Sequence, residues 1–375
     1  MSESVQAAGK DPRVQARDPE GLNWAAPAEL LAEDFITPAS LFFTRSHAAT
    51  PQVELEAWRL RVVGLVSRPL ELSLAELLAG FPEREVTATL VCAGLRRDEL
   101  LAVRPIPGEL PWGTDPVGTG RWRGVSLADV LMVAGPTKDA AHVGFTGLDS
   151  VERLDRRFGF GGSIPLGKAL HPEVLLAHRL NDEPLPPEHG FPVRVVVPGY
   201  IGARSVKWVT EIELRAEPST NYFQTHAYRL QREVLEGRTR DVTAGEALGE
   251  LPLNTVILTP VPGATLAAGP TVVRGWALGP DSRGVALVEV SPDGGRSWVR
   301  ARITDSDGAW AWVQWEAGLD LAPGDHTIVA RAADGNGQLQ PADLTLQWNV
   351  KGYLNHAWHR VPVRVASVAD GGEPR

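Results

Sequence analysis

What most constrains this chain is its punctuation. Thirty-eight glycines and 30 prolines are spread over 375 residues, with no repeat and no low-complexity tract. Proline ends or kinks a helix and glycine weakens one, so turns and short strands are expected rather than long helices. The hydrophobic pattern agrees. Trp58–Val66 (WRLRVVGLV) and Ser205–Leu214 (SVKWVTEIEL) alternate apolar and polar residues, which predicts strands. Glu85–Cys92 (EVTATLVC) is β-branched and predicts a strand that carries Cys92 to its end, while Val174–Leu180 and Pro192–Pro198 are short apolar runs. Two short helices are expected, one behind Ser73 with Glu76 three residues on, the other behind Ser126.

Composition shifts near Thr243–Asn254. Beyond it TVVRGWAL, ALVEVS, WVRARI, WAWVQWEA, HTIVARAAD and TLQWNV are separated by Pro292–Gly295, Asp307-Gly308, Pro323-Gly324 and Asp334–Gly337. Short strands between such turns predict an antiparallel, immunoglobulin-like β-sandwich, with most of its tryptophans packing inside. The fold class is therefore read as α+β, mostly β, in three parts. Residues 1–35, polar and proline-punctuated, form an arm on the surface; 36–248 form a first domain and 249–375 the sandwich.

The formal charge of −9 argues against a general nucleic-acid binder, yet allows arginines to gather at one anion site. Cys92 is the only cysteine, which excludes an internal disulfide, a Cys-ligated iron–sulfur cluster, a C-x-x-C-H haem attachment and a four-cysteine zinc site. No apolar run is long enough to cross a membrane, and Met1–Pro27 lacks the apolar core of a secretory signal. The chain is read as cytoplasmic rather than periplasmic.

A lone cysteine is ordinarily a small buried hydrophobe. Cys92 differs in ending a strand at a Gly turn with Arg96 and Arg97 close behind, and nearby cations favour the thiolate that binds metals. The surrounding TATLVCAGLRR resembles the molybdenum-ligand segment of the sulfite oxidase family. Six more segments of that family follow its order: Phe42–His47 (FFTRSH), Gly147–Asp149 (GLD), Gly162–Leu166 (GSIPL), His189–Arg194 (HGFPVR), Gly202–Trp208 (GARSVKW) and Ala357–Val361 (AWHRV). The resemblance runs from about Pro38 to Val365.

The resemblance implies a molybdopterin-binding core, a C-terminal dimerisation domain, and oxidation of sulfite to sulfate by oxygen transfer. It implies Cys92 as the protein ligand of molybdenum, beside one pterin. Arg45, His47, Asp149, His189, Arg194, Arg204, Ser205 and Lys207 would hold the pterin and its phosphate. Arg45, Arg97 and Arg360 would gather the sulfite anion, with Trp112 and Tyr228 beside them, because guanidinium offers forked donors and keeps its charge when desolvated. A homodimer and an external electron acceptor are implied, with no haem in this chain, since only about 35 residues precede the family core. The alternative is a reductase of nitrate or an S-oxide on the same cofactor. Tyr228 and Arg360 favour sulfite, because eukaryotic nitrate reductases of this fold generally differ at both. Leu95 departs from the usual CAGNRR, so an amide near the cysteine loop is lost.

Overall fold

The structure, a computed structural model, describes residues 9–231, 241 and 243–367. Its first half is built on two sheets that share one apolar core. In one sheet Glu83–Val91 pairs along its whole length with Val117–Ser126, which pairs in turn with Leu175–Leu180. Arg194–Val196 and Glu183–Pro184 complete it on Leu175–Leu180. The other runs in the order Gly161–Pro165, His142–Gly147, Val209–Arg215, Leu60–Gly64, Leu70–Leu72, with Val209–Arg215 parallel to Leu60–Gly64. Leu60, Val143 and Ile212 of one sheet and Val125, Leu176 and Val195 of the other are fully buried in that core. Each such side chain contributes roughly 1.5–3 kcal/mol on leaving water.

Ser73 caps the helix Leu74–Gly80 through a reciprocal pair: its Oγ accepts from the Glu76 amide at 3.2 Å, and the Glu76 carboxylate accepts from the Ser73 amide at 2.8 Å. Ser126 precedes the helix Leu127–Ala134 as expected, but its hydroxyl makes no capping bond. The Leu127 amide donates instead to the Val174 carbonyl at 2.8 Å, so tertiary structure supplies that partner.

The second half is a sandwich. Asn254–Thr259, Gly269–Leu278, Val313–Leu321 and Arg302–Ser306 form one sheet. Thr265–Ala267, His359–Ala366, Gly324–Asp334, Val285–Ser291 and Val299–Arg300 form the other. Ile257, Trp315, Val288, Ile328 and Val361 fill the space between. One expected strand fails: in Thr345–Val350 the chain makes a 3-10 turn, Thr345–Gln347. The Asp343 carboxylate accepts from the Thr345 amide and hydroxyl, and such an Asx turn competes with a ladder. Trp348 then leaves the sandwich, donating Nε1 to the Arg104 carbonyl at 3.0 Å under the Arg104 guanidinium.

The N-terminal segment also departs from expectation. Residues 1–8 lie outside the described residues, but from Lys10 onward the chain is not a surface arm. Trp24, Ala25, Ala26 and Leu31 are buried, and Gln15–Ala16, Asn23–Ala25 and Thr44–Arg45 form a small sheet. Its apolar residues concentrate in Leu22–Phe35, where Trp24, Ala26 and Leu31 join a buried cluster with Val91 and Val256. Among the described residues no helix is long and apolar enough to cross a membrane.

Gly124 shows how closely the first sheet is drawn. A Cβ there would stand 2.1 Å from the Leu176 carbonyl oxygen on the neighbouring strand. Gly124→Ala is expected to force the two strands apart at a cost of about 1–3 kcal/mol, read as a lower urea midpoint.

Candidate functional site

The site begins with a strand end. After Val91 the chain turns, the Cys92 amide donating to the Pro116 carbonyl at 3.0 Å and the Leu95 amide to the Cys92 carbonyl at 3.0 Å. Arg96 then takes a left-handed conformation, φ 59°, and the helix Arg97–Val103 starts. This delivers Cys92 to the wall of a cavity, with the Gly94 amide 3.5 Å from its Sγ.

Segments far apart in sequence line that cavity. Thr44–Arg45 is the last strand of the small N-terminal sheet, with Ser46 and His47 just after it; Asp149 follows the strand His142–Gly147; Arg194 opens the edge strand Arg194–Val196 of the first sheet and His189 precedes it; Ser205 and Lys207 lie before the strand Val209–Arg215; Tyr228 comes from the loop leading to the sandwich. The structure thus brings together Arg45, His47, Cys92, Asp149, His189, Arg194, Ser205, Lys207 and Tyr228.

Their charges are unbalanced. Arg45, Arg194 and Lys207 meet one lining carboxylate, Asp149. Burial, and then the nearby Arg194, holds Lys207 well below the usual ammonium value, although its Nζ donates to Ser46 Oγ at 2.7 Å and the Glu188 carbonyl at 2.9 Å. Burial and the neighbouring cations hold His47 and His189 well below the usual imidazole value, so both are neutral at pH 7. Burial raises Asp149 despite the bond its carboxylate accepts from the Phe160 amide at 2.9 Å.

One chain of bonds fixes a proton. Arginine only donates, so Arg45 Nη2, 3.4 Å from His47 Nδ1, requires a lone pair there. The neutral ring then carries its hydrogen on Nε2 and donates to the Tyr228 oxygen at 2.8 Å. The Tyr228 O–H is left free for a ligand, and burial keeps it protonated by pushing its pKa up to about 12.

Four expected residues are placed elsewhere. Arg97 does not line the cavity. Its Nε donates to the Lys351 carbonyl at 2.8 Å and its Nη1 to the Leu110 carbonyl at 2.8 Å, while its guanidinium lies over the Tyr353 ring and faces Glu109. Gly94 has no side chain because a Cβ there would meet this guanidinium at 2.6 Å. Arg360 is exposed. Along His359–Ala366 burial alternates, so His359 points inward and Arg360 outward, toward a separate cavity lined also by Arg17, Asp98 and Asp115. Trp112 is buried in the cluster that contains Cys92 and Phe42, without reaching the cavity. Arg204 is buried behind the wall, donating to the Leu248 and Phe223 carbonyls at 2.9 and 3.2 Å.

Sequence reasoning missed Lys10, Asn23 and Thr44. The first two sit in the supposed arm, and Thr44 was passed over inside a quoted motif. It also gave Arg96 no part beyond that of a cation near the thiol, whereas its side chain is wholly buried at the domain junction. Its Nε and Nη2 donate to the Glu99 carboxylate, its Nη1 to Asn254 Oδ1 at 3.1 Å and the Ala357 carbonyl at 2.8 Å. The doubled arginine was the available signal.

The family model described as "Oxidoreductase molybdopterin binding domain" matches residues 47–223, and "Mo-co oxidoreductase dimerisation domain" matches 246–366. The chain is 43% identical over 361 residues to the sulfite oxidase of Gallus gallus, covering 94% of this chain and 78% of that protein. It is 36% identical over 372 residues to nitrate reductase [NADH] 1 of Oryza sativa subsp. japonica, covering 92% of this chain and 40% of that protein. Among solved structures, the sulfane dehydrogenase SoxCD from Paracoccus pantotrophus superposes with a TM-score of 0.78 at 26% identity, over 98% of this chain and 90% of that one.

The cavity suits a molybdenum–pterin group on chemical grounds. It offers a thiol as a soft donor, a cationic surplus for a phosphate, and buried polar atoms that no group among the described residues satisfies, Thr44 Oγ1 and Arg194 Nε.

Replacing Arg96 by Met is expected to cost about 2–5 kcal/mol, because Glu99, Asn254 and two carbonyls lose their donor together. Urea unfolding followed by tryptophan fluorescence would register it as an earlier midpoint.

Proposed function

The chain belongs to the sulfite oxidase family of molybdopterin-binding oxidoreductases, and we propose that it oxidises sulfite to sulfate at a molybdenum–pterin centre ligated by Cys92. Sulfite and water give sulfate, two protons and two electrons, and the electrons leave to an external acceptor. The bound cofactor supplies the oxygen transfer and the redox change. The observation that carries this reading is the meeting of the only cysteine with Arg45, Arg194, Lys207 and a free Tyr228 hydroxyl in one cavity.

In this reading Arg194 and Lys207, buried at the His189 end, take the phosphate of the cofactor, where desolvation strengthens each charge. Asp149 accepts from the pterin amino groups. Arg45 attracts the substrate anion, and the Tyr228 O–H donates to its oxygen. Arg97 and Trp112 hold the wall from behind, Arg97 by bracing the cysteine turn against Lys351 and Leu110. Arg204 supports the same wall from the Phe223 side. Arg360 no longer speaks for sulfite, so the preference over nitrate or an S-oxide rests on Tyr228 and on the higher identity to a sulfite oxidase.

We also propose that the sandwich pairs two copies, since the dimerisation family covers it and Val272, Val299 and Ile303 are exposed there. Sedimentation at micromolar concentration is expected to give a dimer; a monomer overturns this.

The decisive experiment is anaerobic. Protein from a molybdenum-replete host is assayed for metal, then given sulfite and followed for sulfate. Stoichiometric sulfate is expected, and Cys92→Ser is expected to abolish it. Molybdenum-loaded protein that ignores sulfite yet reduces nitrate with a chemical reductant overturns the reading in favour of the reductase.

A further inference from the structure

Lys10 is an anomaly. Lysine is rarely buried, yet this one, near the start of the described chain, has a side chain only 1% exposed. Its Nζ donates to the Ala39 carbonyl at 3.0 Å and the Phe42 carbonyl at 2.7 Å, and stands 2.6 Å from His189 Nε2. Glu188 is its one carboxylate neighbour within ion-pair range, at 3.6 Å. An ammonium group only donates, so His189 Nε2 must hold a lone pair and the ring hydrogen sits on Nδ1. Phe42 and His189 both line the cavity, and their rings meet edge to face at 5.6 Å.

The same segment grips the other end of the wall. Asn23 Oδ1 accepts from Arg45 Nη1 at 3.0 Å and from the Ser46 amide at 3.2 Å. Between these points the Asp11 amide donates to the Ser40 carbonyl at 3.1 Å, and Gln15–Ala16 pairs with Asn23–Ala25. Lys10 therefore adds a third buried cation to Arg194 and Lys207 at the His189 end.

We infer that the N-terminal segment is a working part of the cofactor cavity, in which Lys10 is a positioning residue that fixes His189 and supplies positive charge for the phosphate-bearing end of the pterin. Its own donors are already used, so it acts through His189 and through the field rather than by contact. The inference rests on the proposed function only in requiring that the cavity hold a pterin.

The test compares Lys10→Met, Lys10→Arg and Arg13→Ala, the last a change at an exposed residue of the same segment that pairs with Asp11. Molybdenum and pterin per chain are measured on purified protein and through dialysis, the pterin by fluorescence after oxidation. Lys10→Met is expected to lose cofactor about 10-fold faster, Lys10→Arg to fall between, and Arg13→Ala to match the parent. The cofactor-free Lys10→Met protein is expected to unfold somewhat earlier than the cofactor-free parent, because the Ala39 and Phe42 carbonyls lose their donor, so retention is compared at a temperature where both stay folded. Parent-like retention in Lys10→Met overturns the inference. So does loss from Lys10→Arg as fast as from Lys10→Met, which would show that the positive charge plays no part. A parent that keeps its pterin but leaves sulfite unoxidised defeats the functional reading and leaves this one standing; a parent without pterin defeats both.

Discussion

Everything around the cysteine depends on how one guanidinium is satisfied. Arg96 directly follows the cysteine turn, in a left-handed conformation that costs a non-glycine residue about 1–2 kcal/mol. It is wholly buried, and all five of its N–H groups find acceptors: two on Glu99, then Asn254 Oδ1 and the carbonyls of Ala357 and Trp358. Its amide donates to the Gly113 carbonyl, and its carbonyl accepts from Asn355 Nδ2. The strained turn is affordable only inside this network. Half the network belongs to the second domain, so both domains set the position of the cysteine.

Thr89 makes the same point from the strand that carries the cysteine. Its amide donates to the Trp310 carbonyl at 2.9 Å, and its hydroxyl accepts from the Trp312 amide at 2.7 Å. The tryptophan-rich stretch of the sandwich is thus more than core. It docks the strand that leads to Cys92, and Trp312 itself packs at the junction with Trp276.

Much of this was legible in the residues. The capping box at Ser73, the strand ending at Cys92 and the layered second half follow from local pattern, because burial there is periodic and turn chemistry is explicit. The cavity wall was legible only through motif resemblance, since its residues come from loops whose positions no periodicity encodes. Errors arose where a motif was carried over without its geometry. Arg360 sits one position beyond the inward-facing His359, and strand alternation turns it away from the core. Arg97 was read as a free cation because nothing local says that Leu110 and Lys351 carbonyls will surround it. The N-terminal segment was misjudged because two of its buried anchors, Lys10 and Asn23, are polar residues whose partners lie far along the chain, and the apolar run around Trp24 was passed over.

The bond from Arg96 to the Ala357 carbonyl spans 261 positions. During synthesis from the N-terminus, the cysteine turn is made long before its acceptors exist. The two segments that family models separate therefore cannot mature one after the other like beads on a string. The Cys92 turn must wait, unfinished, until Ala357 and Trp358 are translated, and the cavity wall it forms is complete only then.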